Sequence, residues 1–297
     1  MLILDLWKGK SIDFGGKSGG QAGDNLYTVG MDRKLRAKAT QVQNHKSTSW
    51  GGVAQWYDSL LEDSDDSFQS KVIMPNLIRV LDPKKGMIVL DVACGQGYFT
   101  RAFASGGATA IGCDVSRELI EAAKKRTPAG IDFHIALAHK LAFAADASVD
   151  VVTIVLALQN IENVSEVLIE VSRVLKPGGR LIIVLNHPMF RIPDRSSWQW
   201  DERLGKQYRR VDAYLSDAKK LIDMAPGETD KNKKKFTVSF HRPLQSYVKA
   251  LSKAGFKVDR LEEWISHKKS QKGPRAEEED RIRKEIPMFL MVGAVKV

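Results

Sequence analysis

From residue 87 onward, short apolar runs alternate with amphipathic stretches, and that rhythm dictates the expected architecture. MIVLDVA has the length and composition of a strand buried on both faces. YFTRAFASGG reads as a helix closed by paired glycines, ATAIGCDVS as a second strand ending near Asp114, and RELIEAAKKR as a second helix. IDFHIA and SVDVVTIVLAL supply a third and a fourth strand. ENVSEVLIEVSRVLKPGG repeats its apolar residues at three and four, which predicts a helix running to Pro177 and Gly178, and GRLIIVLN follows as a fifth strand. Five strands alternating with helices predict an α/β fold, a doubly wound and mainly parallel sheet with helices on both faces.

The flanks are less regular. Residues 1–46 lack periodicity and contain SIDFGGKSGGQAGDN, which reads as an irregular N-terminal arm, leaving 47–297 as one domain. Its GGKS is not a phosphate-binding loop, because Ser11 stands where that motif needs glycine and no apolar strand precedes it. A helix is expected near Trp50, including Trp56 and Tyr57, and another from Phe68 to Leu81, stopped by Pro83. Residues 187–240 form an insertion after the fifth strand, in which Arg203, Lys206 and Arg210 recur at helical spacing. Beyond it the pattern gives a helix at 244–253, a strand at 256–261, a charged loop through 280 and a last strand in PMFLMVGAV. The last two strands are expected to pair antiparallel at the sheet edge.

Charge changes this picture only in its periphery. The net charge is +10, and the final 107 residues hold 25 Lys and Arg against 16 Asp and Glu, whereas residues 69–190 are nearly balanced at 13 against 11. The excess therefore lies outside the apolar heart, where it can steer an anionic partner or serve as a solvated surface. The two cysteines, Cys94 and Cys113, do not make a disulfide framework. No metal-ligand set is assigned. MLILDLW is broken by Asp5 and Lys8, too soon for a signal peptide or membrane span, so a cytoplasmic protein without membrane association is expected.

In a doubly wound sheet the ligand crevice lies beyond the carboxyl ends of the strands. Asp91, Gly95 and Gly97 fall at the end of the first strand and Asp114 at the end of the second, where a carboxylate can accept hydrogen bonds from ribose hydroxyls. A dinucleotide fingerprint needs a third glycine, but that position is Thr100. VLDVACGQG instead resembles the first motif of class I S-adenosylmethionine-dependent methyltransferases, in the small-molecule, ubiquinone-biosynthesis-like branch (methyltransferase type 11). VSRVLKPGGRLII resembles the helix-to-strand segment of the same superfamily. The resemblance covers about residues 50–190 well and implies a seven-stranded Rossmann-like fold.

Carried onto matching positions, the resemblance implies a site for S-adenosyl-L-methionine. Asp91 would organise the loop near the methionine part, with Ala93, Gly95 and Gly97 offering backbone. Asp114 would hold the ribose and Val115 pack on adenine, with Leu137 and Ala138 along the adenine edge. Leu156 and Gln159 would border the methionine side. Tyr57, in a segment resembling the family's A-x-x-Y-D, would close over the cofactor or anchor the N-terminal helix. Many relatives place Asp in a G-D-A segment after the third strand, to accept from the adenine amino group. Here the sequence is IALAHKLAF, with Leu137 at that place, so backbone, water or His139 must supply that bond if it is made at all.

NHPMF resembles a histidine-proline-aromatic segment found after the fifth strand in some small-molecule methyltransferases, and FHRPLQSY resembles the H-R-x-L-S-x-Y segment of that subset. The chain between them is expected to cover the acceptor, with Phe190, Trp198 and Tyr208 as candidate contacts. The acceptor expected is a small anionic or aromatic molecule, methylated on oxygen or nitrogen. Histidine suits the removal of a proton from such a nucleophile, which makes His241 and His187 the candidate bases. The alternatives are an RNA methyltransferase that uses the basic C-terminal surface, and a noncatalytic cofactor-binding protein.

Overall fold

The computed structural model describes residues 66–127, 130–224 and 234–297. The N-terminal arm, the helix expected near Trp50, and Tyr57 lie outside the described residues. A wide helical turn, Gln69–Ile73, leads into α1 (Met74–Leu81). Asp82 then turns left-handed at φ 52°, and Pro83 cannot continue the helix. The alternating core follows as β1 (Ile88–Val92), α2 (Tyr98–Ser105), β2 (Thr109–Asp114), α3 (Arg117–Arg126), β3 (Asp132–Ile135), β4 (Val149–Val155), α4 (Val164–Val174) and β5 (Leu175–Asn186).

The two helix layers can be read from the side-chain alternation of the central strands. Along β5, Leu181, Ile183 and Leu185 join α4 in one apolar cluster, while Ile182 and Val184 join α1 and α2 in another. Val152 and Ile154 of β4 face the first layer, and Val151 and Val155 the second. Strands apolar at every position thus follow from a sheet covered on both faces.

The sheet has seven strands, in the order β10-β11-β5-β4-β1-β2-β3. Its C-terminal part comprises α5 (Leu244–Lys253), β10 (Phe256–Trp264), α6 (Ala276–Glu285) and β11 (Phe289–Lys296). β11 lies antiparallel between β5 and β10, so the last two strands pair as the sequence predicts. Before α5 the chain forms two hairpins outside the main sheet. The first joins β6 (Ser196–Asp201) to β7 (Lys206–Val211), and the second joins β8 (Ala218–Asp223) to β9 (Phe236–His241).

Three expectations require correction. α4 ends at Val174 rather than running to Pro177, because the residue before a proline is driven toward extended backbone; Leu175 already pairs with Val149 of β4. Arg203, Lys206 and Arg210 are not on a helix: the first lies in the β6–β7 turn and the others on β7. That turn is closed by the Leu204 amide donating to the Asp201 carboxylate at 2.9 Å, with Gly205 left-handed at φ 59°. The charged loop contains α6. Its first turn holds Glu277, Glu278 and Glu279 and its last turn Arg283 and Lys284, which matches the helix dipole, and Arg281 pairs with Glu278 one turn away at 2.7 Å.

Candidate cofactor and acceptor site

The site begins where β1 and β2 end side by side, with Asp91 opposite Gly112 and Val92 opposite Cys113. The Cys94 amide still donates to the Cys113 carbonyl at 2.9 Å, holding the turn over the sheet edge. Ala93 then adopts φ 59°, Gly95 φ 58° and Gly97 φ 77°, a run of left-handed residues that folds the loop tightly before α2. For Ala93, a non-glycine residue, that conformation costs about 1–2 kcal/mol.

Asp114 ties this loop to β2. Its carboxylate accepts from the Gly95 amide at 3.0 Å and the Ser116 amide at 2.8 Å, and Ser116 caps α3 by accepting from the Leu119 amide. Burial pushes the Asp114 pKa up, and the amides of Ser116, Gly95 and Val115 oppose that shift. A carboxylate has about four acceptor positions, so these amides still leave capacity for a ribose hydroxyl.

Asp91 is buried beneath the loop. It accepts from Thr100 at 2.6 Å and Thr153 at 2.9 Å, thereby linking α2, β1 and β4. Burial raises its pKa to about 6 despite those hydroxyls, and the charge of Asp114 adds to the rise. The folded state therefore holds this proton more tightly than an unfolded carboxyl at 3.8. Stability from this group is complete below about pH 4 and is lost as pH rises through about 6, up to about 3 kcal/mol. Urea unfolding of the cofactor-free protein across that range should show the decline, and Asp91→Asn should flatten it. An equal slope in both proteins would remove Asp91 as its source.

A cavity opens on each side of the loop. Toward β2 and β3, about 470 Å³ is walled by Val115, His134, Ile135, Leu137, Lys140 and Phe143, among others. Val115, Ile135 and Leu137 are exposed there (38–47%), an apolar wall that is unusual for free surface. Ala138 packs against the core beside it, and His139 is exposed and not part of the wall. Toward β4 and β5, a cavity of about 120 Å³ is lined by Leu156, Gln159, Asn186, Arg191, Phe240 and His241, among others. Leu156 is left-handed at φ 53°, and its carbonyl accepts from the Gln159 amide nitrogen at 2.8 Å.

The matched family model, described as a methyltransferase domain, covers residues 90–183, from β1 through most of β5. Residues 90–183 thus match a methyltransferase domain. The chain is 34% identical over 155 residues to the demethylmenaquinone methyltransferase of Paenarthrobacter aurescens, covering 52% of this chain and 60% of that protein. It is 41% identical over 116 residues to the ubiquinone/menaquinone biosynthesis C-methyltransferase of Desulfotalea psychrophila, covering 36% and 44%. The chain thus spans about half the length of the curated relatives it matches. Among solved structures, an S-adenosylmethionine dependent methyltransferase from Mesorhizobium loti superposes with a TM-score of 0.58 at 26% identity, over 74% of this chain and 96% of that one.

The methyltransferase domain fits its cofactor through its own residues. The apolar wall around Leu137 suits an adenine ring, Asp114 lies between that wall and the loop, and the Gln96 side-chain nitrogen is buried in the loop without a partner among the described residues. No carboxylate stands in the adenine wall, so an adenine amino group would meet backbone or water there.

The candidate acceptor residues separate. His187 accepts at Nδ1 from the amides of Met189 and Phe190, and its Nε2 donates to Glu263 at 2.8 Å. Both ring nitrogens thus brace the turn after β5, and burial lowers the pKa against the pull of Glu263. Phe190 packs on that ring at 4.7 Å. Trp198 carries the Arg209 guanidinium 5.1 Å from its ring centroid, and Tyr208 is exposed. Neither cavity includes Phe190, Trp198 or Tyr208. The first hairpin docks on α6 instead, where the Gln207 amide and Lys206 meet Glu278. The second hairpin lines the cavity beside β4 and β5, through Ile222, Thr237, Ser239, Phe240 and His241. Phe240 and Arg191 had no sequence signal beyond residue type. The period-two alternation of FTVSFH was the only cue that a strand delivers His241.

Among the described residues, no helix is long and apolar enough to cross a membrane.

Proposed function

We propose that the chain transfers a methyl group from S-adenosylmethionine to a small aromatic molecule held between β4, β5 and the second hairpin. The observation that carries this reading is the placement of two cavities on opposite sides of the glycine loop, one beside β2 and β3 and one beside β4 and β5. S-adenosylmethionine, when bound, supplies an activated sulfonium methyl group. The protein's task is then mainly alignment and exclusion of water. Asp114 and the Leu137 wall would hold the nucleoside, and Leu156 and Gln159 would border the methionine side.

This reading assigns removal of the acceptor's proton to His241. Its ring is buried, lines the acceptor cavity, and donates from Nε2 to the Tyr214 carbonyl at 2.8 Å. In the neutral ring Nδ1 is therefore the unprotonated nitrogen. Removing a proton from a phenolic hydroxyl activates both that oxygen and the adjacent ring carbons, so the same base serves O- or C-methylation. The relative named as a C-methyltransferase makes carbon a third candidate beside oxygen and nitrogen.

His241→Asn should lower turnover about a hundredfold or more while cofactor affinity holds, as measured by steady-state kinetics beside calorimetry. Phe240→Ala should reduce turnover more than Trp198→Ala, because only Phe240 lines the cavity. The reading as a whole is tested by incubation with methyl-labelled S-adenosylmethionine, a metabolite extract and a separate RNA fraction. Label in an extracted small molecule supports it, and label confined to RNA overturns it.

A further inference from the structure

The cavity beside β4 and β5 is lined by a cation that meets no carboxylate among the described residues. Arg191 lines the cavity just after β5, and among the described residues its guanidinium has no ion pair or hydrogen bond. Burial, and then repulsion from Arg209, drive its pKa down to about 10. Among the described residues no carboxylate lines the cavity, whereas a second arginine, Arg242, does. One Arg242 nitrogen donates to the Glu162 carbonyl, and the other terminal nitrogen, Nη1, is buried without a partner. Buried charges ordinarily come paired, because an isolated ion in a low-dielectric pocket loses its hydration without return. Arg191 is half-buried at the cavity wall and meets no such partner among the described residues.

The rest of the lining defines what carries that charge. Leu156, Ile222, Met224 and Phe240 give the cavity apolar walls, and its volume of about 120 Å³ is on the scale of cavities that accept one benzene ring. Two amide oxygens, Gln159 Oε1 and Asn186 Oδ1, are buried in the lining without a donor among the described residues. An oxygen that lacks a donor calls for a hydroxyl or N–H on the ligand. A guanidinium forms its strongest planar, two-pronged contact with a carboxylate.

We propose that this cavity takes a single-ring aromatic carboxylate bearing a hydroxyl group, its carboxylate paired with Arg191 and its hydroxyl bonded to the amide oxygens of Gln159 and Asn186. The proposal rests on the methyltransferase reading only in making this ligand the methyl acceptor. The anion site itself stands on Arg191 and its surroundings. The ring would be set beside His241, with the charged end fixing which ring position approaches the methyl donor.

The test uses the full chain saturated with S-adenosylhomocysteine, with 4-hydroxybenzoate and 4-hydroxybenzyl alcohol as probes, followed by calorimetry and thermal unfolding. The benzoate should bind about tenfold to a hundredfold more tightly than the alcohol, the range expected for one charged hydrogen-bonded pair. Arg191→Met should erase that preference, leave alcohol binding unchanged, and unfold no earlier than the parent protein, since it removes a half-buried charge that has no partner among the described residues. Arg191→Lys, which keeps the charge but not the planar fork, should fall between and serves as the second variant if Arg191→Met does not fold. Equal binding of the two probes, no binding of the benzoate, or a preference that survives in Arg191→Met or is undiminished in Arg191→Lys would each overturn the proposal. Failure of S-adenosylhomocysteine to bind, with the Arg191-dependent preference intact, would instead sink the methyltransferase reading and leave the anion site standing.

Discussion

Replacing Asp114 with alanine should weaken S-adenosylmethionine binding about a hundredfold or more. The carboxylate sits at the junction of β2, the glycine loop and α3, and two backbone amides already point at it. Ribose hydroxyls donating to its remaining positions would be charge-assisted bonds, each worth about 1.5–3 kcal/mol. Alanine removes those acceptors and also leaves the Gly95 and Ser116 amides without their partner, so the loop loses its tether as well as its ligand contact. Asp114→Asn retains one acceptor oxygen and should fall between. Calorimetry on protein with an intact thermal transition separates lost affinity from lost fold. Because burial raises the Asp114 pKa, acidification should weaken cofactor binding before ordinary surface carboxylates titrate.

Gly97→Val should be the most damaging single change to the fold of the loop. Gly97 holds φ 77°, and a Cβ there would lie 2.8 Å from two atoms of the Phe133 ring and 3.3 Å from Ala123 Cβ. The glycine is thus required by packing of the loop against β3 and α3. A left-handed β-branched residue costs about 1–2 kcal/mol, and overpacking adds about 1–3 kcal/mol. Urea unfolding should register a loss of about 2–5 kcal/mol, together with loss of cofactor binding. Pairing Gly97→Val with Phe133→Leu should recover part of the packing loss and none of the backbone cost. Equal stability in the single and double variants would show that the ring is not the obstacle.

The central sheet was legible because its strands are buried on both faces. MIVLDVA and GRLIIVLN admit few readings, and Asp91, Asp114 and the glycines fall at their ends by spacing alone. The periphery was less legible, for identifiable reasons. α6 buries only Ile282, so it carries no apolar stripe, and its signal lies in the order of its charges, acidic first and basic last. The first hairpin hides its period of two because Trp198 and Trp200 stack with Arg209 and Arg275 at the surface instead of entering a core. Aromatic content therefore pointed to that hairpin as the acceptor cover, while the cavity is lined by the second, whose Thr237, Ser239 and Phe240 look ordinary in sequence. Arg191 is one arginine among many; only its place in a cavity wall that holds no carboxylate among the described residues distinguishes it, and that is a tertiary property. The brace role of His187 depends on Glu263, 76 residues away.

The most direct test of the whole arrangement is a crystal structure of the full chain with S-adenosylhomocysteine. The account predicts the adenine against Val115 and Leu137, the ribose hydroxyls on Asp114, and the sulfur beside Leu156, opening toward the cavity that holds Arg191 and His241. A nucleoside lying instead between β4 and β5, or a sulfur separated from that cavity by closed protein, would contradict it.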